Sequence, residues 1–124
     1  MEFGQVHHIE YYVDDLEKSN EFWEWFLLHL RYEKYQEWSG GVSFRHKNGT
    51  YLVFVQVEPE YIKVGNNRQG NGLNHIAFQG GTLSELDEIQ FLLEKRNIKI
   101  LKRSGDYLCF EDPNLFAVEI YANE

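Results

Sequence analysis

Cations, cysteines and long apolar runs are all scarce in this chain, and each shortage removes a class of function. Twelve Lys and Arg stand against twenty Asp and Glu, giving a formal net charge of -8, and the cations are spread along the sequence. No basic stripe is offered to a phosphate backbone or an anionic lipid surface, so neither nucleic acid nor a membrane is an expected partner. The single cysteine, Cys109, lies in an apolar run. It excludes an internal disulfide and suits a reducing, cytoplasmic setting. No apolar stretch is long enough to span a bilayer, and the opening "MEFGQVHHIE" lacks the basic start and apolar middle of a secretory signal. Low-complexity tracts are absent as well.

What is present suffices for one packed domain. The 124 residues are 43% hydrophobic and 16% aromatic, ample for a core. The sequence also resembles itself. "VHHIEYYVDD" at 6–15 has a near twin in "LNHIAFQGG" at 73–81, with His before Ile in both. Laying His75 over His8 places Leu83 on Leu16, Ile89 on Phe22 and Leu93 on Phe26, so two helical segments share a buried face.

In the first half, "HIEYYV" is rich in aromatic and β-branched residues and reads as a strand. A helix is expected over 15–30, with Asp14 as N-cap, Glu17 three residues on, and Leu16, Trp23, Phe26, Leu27 and Leu30 at helical spacing. "YEKYQEW", "GVSFRHK" and "TYLVFVQVE" then read as strands, with "SGG" and "KNG" as turns. The second half repeats the order: "NHIAFQ", a helix in "TLSELDEIQFLLEKRN" opened by a Thr82–Glu85 capping box, then "IKILKR", "YLCFED" and "LFAVEIYA". "RSGD" and "EDPN" supply its turns. Residues 59–71, polar and glycine-rich, read as a linker or a loop over a site. The chain is thus expected to be one domain, 1–124, built from two βαβββ modules over about 5–58 and 72–122.

With those motifs on the page, "HHIEYYVDDLEKSNEFWEWF", "NHIAF" and the last hairpin "YLCFEDPNLFAVEIY", in this order and spacing, resemble the vicinal oxygen chelate superfamily. It contains glyoxalase I, fosfomycin-resistance thiol transferases, extradiol dioxygenases and bleomycin-binding proteins. The resemblance covers almost the whole chain. It implies an α+β fold in which the two modules form a curved mixed sheet with a central cleft. It also implies a divalent metal ion (Zn, Ni, Mn or Fe(II)) held by His8, His75 and Glu119. Two imidazoles and a carboxylate are a minimal facial set that leaves open positions on such an ion. Glu119 is the sharpest of the three, because a carboxylate centred in "LFAVEIY" is costly to bury without a partner. The bland reading of each residue is a packed or half-exposed side chain, and for Glu119 a strand edge facing water.

Alternation along strands names the neighbours: Glu10 and Tyr12 share the face of His8, Ala77 and Gln79 that of His75, Ala117 and Tyr121 that of Glu119. Glu10 and Tyr12 are the catalytic candidates, Glu10 as a general base. Gln79, Tyr121 and Phe54 are the candidates for substrate contact. His7 is expected on the face opposite His8. His29 suits the end of the first helix, and His46 lies in the turn-flanking run "FRHKNG". Arg45, Lys102 and Arg103 are cations available to an anionic substrate, but nothing in the sequence aims them.

Departures from the family narrow the chemistry. Glutathione-type glyoxalases take a fourth ligand, a Glu, from the final strand of the first module; here "YLVFVQV" places Val53 or Phe54 at that point. Extradiol enzymes usually occupy longer chains with two module pairs. Fosfomycin transferases end in a "DPDGHKLE"-like segment, where this chain reads "DPNLFAVE". The expectation is a metal-dependent lyase, isomerase or thiol transferase acting on a small molecule with adjacent oxygens, in a homodimer. The alternative is a metal-free sequestering protein of the bleomycin-resistance type, against which the retained triad argues.

Overall fold

A computed structural model describes residues 2–64 and 71–123. The chain divides into two compact units, Met1–Gly65 and Asn66–Glu124, each holding one βαβββ module.

In the first unit, strand β1 (His8–Val13) leads into helix α1 (Leu16–His29), followed by β2 (Glu33–Trp38), β3 (Gly41–Arg45) and β4 (Tyr51–Gln56). The strands form a four-stranded mixed sheet in the order β1-β4-β3-β2, β1 parallel to β4 and the rest antiparallel. A parallel first pair requires a crossover, and α1 is part of it. Side chains of β1 alternate as the sequence implied: Tyr11 and Val13 are buried, His8, Glu10 and Tyr12 exposed. The buried side is aromatic. Phe54 stacks on Tyr11 and Trp23 at ring separations of 5.4 and 4.9 Å, and Trp23, Phe26 and Leu27 of α1 are fully buried. Each such side chain contributes about 1.5–3 kcal/mol of transfer free energy.

The N-cap of α1 is Asp15, not Asp14: its side chain accepts from the Lys18 backbone N–H at 3.2 Å. Asp14 is held one step outside the helix, because the Gln56 side chain donates to its carbonyl and accepts from the Leu16 N–H, both at 2.8 Å. One amide therefore joins the end of β4 to the start of α1 and serves a backbone donor that the helix leaves unpaired.

The second unit repeats the plan with β5 (His75–Gln79), helix α2 (Leu83–Lys95), β6 (Ile100–Ser104), β7 (Tyr107–Glu111) and β8 (Ala117–Tyr121), in the sheet order β5-β8-β7-β6. The Thr82–Glu85 capping box is formed. Leu86, Ile89 and Leu93 of α2 are buried, whereas Leu83 is 41% exposed and Leu16 only half-buried. These two occupy the first helical position, before the apolar stripe turns inward, so the shared face of the two helices begins a turn later than the sequence alignment suggested. Within 59–71, Pro59–Val64 forms a short 3-10 helix, and residues 65–70 lie outside the described residues. No helix among the described residues is long and apolar enough to cross a membrane.

Candidate metal centre

Strand register sets the site. In the second sheet, Ala77 lies beside Glu119 on one side and Cys109 on the other, while Gln79 and Tyr107 flank Tyr121 and His75 stands opposite Ala117. Small neighbours leave room around the Glu119 carboxylate, whose side chain is only 12% exposed. It is not unpartnered. Tyr107 donates its hydroxyl to Oε2 at 3.0 Å, and Tyr121 donates to Oε1 at 3.2 Å. Desolvation, then hydrogen bonding to Cys109 and Glu119, pushes the Tyr107 phenol well above its usual range. Desolvation and the Glu119 charge raise Tyr121 too, so both stay donors.

His75 Nε2 lies 3.3 Å from Glu119 Oε1. Its other ring nitrogen, Nδ1, is 2.8 Å from Asn74 Oδ1. A carbonyl oxygen only accepts, so Nδ1 carries the hydrogen, and a neutral ring then turns the Nε2 lone pair toward Oε1. A proton on Nε2 or a metal ion between the two atoms would each turn this close approach into an attraction. The spacing of this pair matches that of two ligands on one ion: two ligand atoms each about 2.1 Å from an ion stand roughly 3.0–3.4 Å apart in octahedral or tetrahedral geometry.

In the first unit, His8 opens β1 and stacks on Tyr51, its cross-strand neighbour, with ring centroids 4.8 Å apart and planes 7° from parallel. His7 does not point away from it. His7 precedes the strand, where alternation has no hold, and its Nδ1 lies 2.9 Å from His8 Nδ1. One ring donates and the other accepts; when His8 donates, its Nε2 lone pair is left for a ligand. The residue just before each motif histidine, His7 or Asn74, thus engages that histidine's Nδ1.

Glu10 and Tyr12 lie on the exposed face with His8, opposite Val53 and Val55. Register also decides between Val53 and Phe54. Val53 pairs with Glu10 as Glu119 pairs with Ala77, so Val53 holds the position in its module that Glu119 holds in the other. Phe54 points to the opposite face, into the aromatic core against Tyr11 and Trp23, where its burial keeps it from contacting a substrate. The structure brings together His75, Glu119 and Tyr121. His8, Glu10 and Tyr12 share a face of the other unit, and among the described residues no three His, Cys, Asp or Glu side chains gather closely enough to hold an ion. Sequence reasoning missed Tyr107 and Asn74. Alternation within "YLCFED" puts Tyr107 and Cys109 on one face, but only the register across the hairpin puts that face beside Glu119.

Comparison with known proteins adds independent findings. Residues 5–120 match the family model described as the Glyoxalase/Bleomycin resistance protein/Dioxygenase superfamily. The uncharacterized protein YqjT of Bacillus subtilis is 39% identical, over 94% of this chain and 98% of its own. A Bacillus halodurans protein, provisionally designated a glyoxalase, has a crystal structure that superposes with a TM-score of 0.91 at 41% identity, covering 97% of this chain and 96% of that one. The fold extends to a variant of the fosfomycin resistance protein FosX from Listeria monocytogenes, crystallised with Mn(II) and 1S,2S-dihydroxypropylphosphonic acid. There the TM-score is 0.70 at 22% identity, covering 99% and 95% of the two chains.

Proposed function

Because the chain belongs to the glyoxalase/bleomycin resistance protein/dioxygenase superfamily, we propose that it is a metal-dependent enzyme that chelates a small substrate through two adjacent oxygens. The observation that carries this reading is the acceptor pair His75 Nε2 and Glu119 Oε1, 3.3 Å apart with Nδ1 already committed to Asn74. His75 and Glu119 would hold the ion, and His8 would join them, on its motif position and on a Nδ1 arrangement that parallels that of His75. A homodimer is part of the reading, with His8 coming from the same chain or from its partner.

Bound by these residues, a divalent ion would supply Lewis-acid stabilisation of the negative charge that develops on the substrate. Tyr107 and Tyr121 fix the Glu119 carboxylate and, remaining protonated, keep donating to it. Glu10, exposed on the His8 face, accepts a proton from substrate. Tyr12 and Gln79 contact the substrate. Val53 in place of a further carboxylate separates this site from glutathione-type glyoxalases, so the lyase, isomerase and thiol-transfer chemistries of the superfamily come before hemithioacetal turnover.

Calorimetric titration of metal-free protein with Mn(II), Zn(II), Ni(II) and Fe(II) tests the reading, Mn(II) first because FosX was crystallised with it. One ion per chain is expected, with affinity lost in His8→Ala, His75→Ala and Glu119→Gln. Small hydroxamates should bind the loaded protein alone. Equal binding to the metal-free protein would favour the sequestering alternative, and variants that bind metal as tightly as the parent would remove the triad.

A further inference from the structure

Among the described residues, a recess outside the ligand set is rich in cations. At the edge of the first sheet, where α1 meets β2 and the β3–β4 turn, a pocket of about 230 Å³ is lined by Arg31, Lys34, Arg45 and Lys47, with Glu33 as its one carboxylate. A third of the cations of an acidic chain thus surround one small space. Lys34 is shared with Glu24 and Glu37, each at 3.6 Å, so Arg45 and Lys47 carry the argument.

Both are pre-set. The Arg45 guanidinium lies 4.2 Å over the Tyr35 ring, which limits the rotamer freedom a ligand would have to remove. Lys47 sits in a tight turn closed by the His46 N–H to Thr50 carbonyl and Gly49 N–H to His46 carbonyl bonds, both 2.9 Å. His46 Nδ1 accepts from the Asn48 N–H at 3.2 Å, which leaves Nε2–H of the neutral ring as a further donor on the pocket wall. Clustered donors and cations of this kind recognise an oxyanion.

Size and placement narrow the ligand. Complete small-molecule sites span roughly 300–1,000 Å³, so this pocket suits a head group. Arg45 is the cross-strand neighbour of Tyr51, and Tyr51 that of His8, so the three form one row across the sheet. Tyr35 meets Tyr51 at 5.2 Å, and Tyr51 stacks on His8. Two interstrand spacings, about 10 Å, separate the His8 strand from the Arg45 strand along a floor of aromatic rings.

We propose that this recess is an anion subsite taking the phosphate group of a small-molecule ligand whose body lies over Tyr35 and Tyr51, with its chelating end toward His8. The direction toward His8 rests on the metal reading above; the anion subsite itself does not.

The experiment uses phenyl phosphate, inorganic phosphate and phenol as probes of metal-free protein by amide-resolved NMR titration, and then metal-loaded protein with two hydroxamates. Phenyl phosphate should shift residues 45–50 and Tyr35 and bind at least tenfold more tightly than phenol. Arg45→Gln/Lys47→Gln should lose that margin, while Lys95→Gln/Lys99→Gln, which removes the same charge from the second module, keeps it. Inorganic phosphate binding as tightly as phenyl phosphate would make the site one for free phosphate and overturn the aromatic-floor assignment. In loaded protein, a hydroxamate carrying a terminal phosphate on a chain of about 10 Å should bind at least tenfold better than acetohydroxamate, and only with Arg45 and Lys47 intact. If no metal binds but the phenyl phosphate result holds, the metal reading falls and the subsite stands. If metal binds and Arg45→Gln/Lys47→Gln holds phenyl phosphate like its parent, the subsite is overturned.

Discussion

At the scale of single residues, the chemistry turns on which ring nitrogen of a histidine carries hydrogen. Asn74 fixes that choice for His75 by accepting from Nδ1 at 2.8 Å. Partners of this kind orient a ligating imidazole and raise its basicity, and their loss commonly costs 10–100-fold in metal affinity. Asn74→Ala should therefore weaken metal binding by about 10–100-fold, while Asn74→Asp, which keeps an acceptor, restores most of it. Titration calorimetry reads the affinity, and a thermal melt of the metal-free variant separates positioning from folding. Affinity unchanged in Asn74→Ala would mean that His75 needs no orienting partner.

At the scale of elements, the β7–β8 hairpin carries an uncommon turn. Leu115, 61% exposed, adopts φ 67°, a left-handed conformation that costs an L side chain roughly 1–2 kcal/mol, where the fosfomycin-type ending has Gly. Asp112 makes the turn possible. Buried, it accepts at Oδ1 from the Asn114 and Phe116 N–H groups, both at 2.8 Å, and its carbonyl accepts from the Leu115 N–H at 3.0 Å. Leu115→Gly should stabilise the protein by about 0.5–1 kcal/mol, the relief of φ being partly offset by the greater freedom of an unfolded glycine. Asp112→Ala should destabilise it by about 3 kcal/mol through the charged acceptor lost to two backbone donors. Urea unfolding reports both as midpoint shifts at constant slope. Because Glu119 follows four residues after Leu115, Asp112→Ala should also weaken metal binding, and a loss of stability without a loss of affinity would separate the turn from the site.

At the scale of the whole molecule, each sheet ends in strands whose outer edges invite pairing, β1 and β2 in one and β5 and β6 in the other. The exposed face of β1 adds Tyr12, 69% accessible. We expect a homodimer, twice the 14.8 kDa chain mass, in sedimentation at micromolar concentration. A single species at the chain mass would exclude it. Mixing His8→Ala with Glu119→Gln protein and measuring bound metal then distinguishes the two sources of His8. Heterodimers with a shared site recover one intact centre, whereas those with self-contained sites recover none.

Much of this was legible in the residues themselves. Periodicity gave the order βαβββ twice, the Thr82–Glu85 box, and the face shared by His8, Glu10 and Tyr12, because those features depend on neighbours within a few positions. The duplicated His-Ile and the "DPN" hairpin pointed to the superfamily and to Glu119 as a carboxylate in need of a partner. Tertiary structure alone decided the rest. Whether Val53 or Phe54 matches Glu119 depends on cross-strand register, since a slip of one residue turns every side chain to the other face. Tyr107 reaches Glu119, and Arg45 rather than Arg103 lines the basic pocket, because strands distant in sequence lie side by side; Arg103 instead pairs with Asp87 at 2.8 Å. Local pattern fixes which way a side chain points, and only the folded chain fixes what it meets.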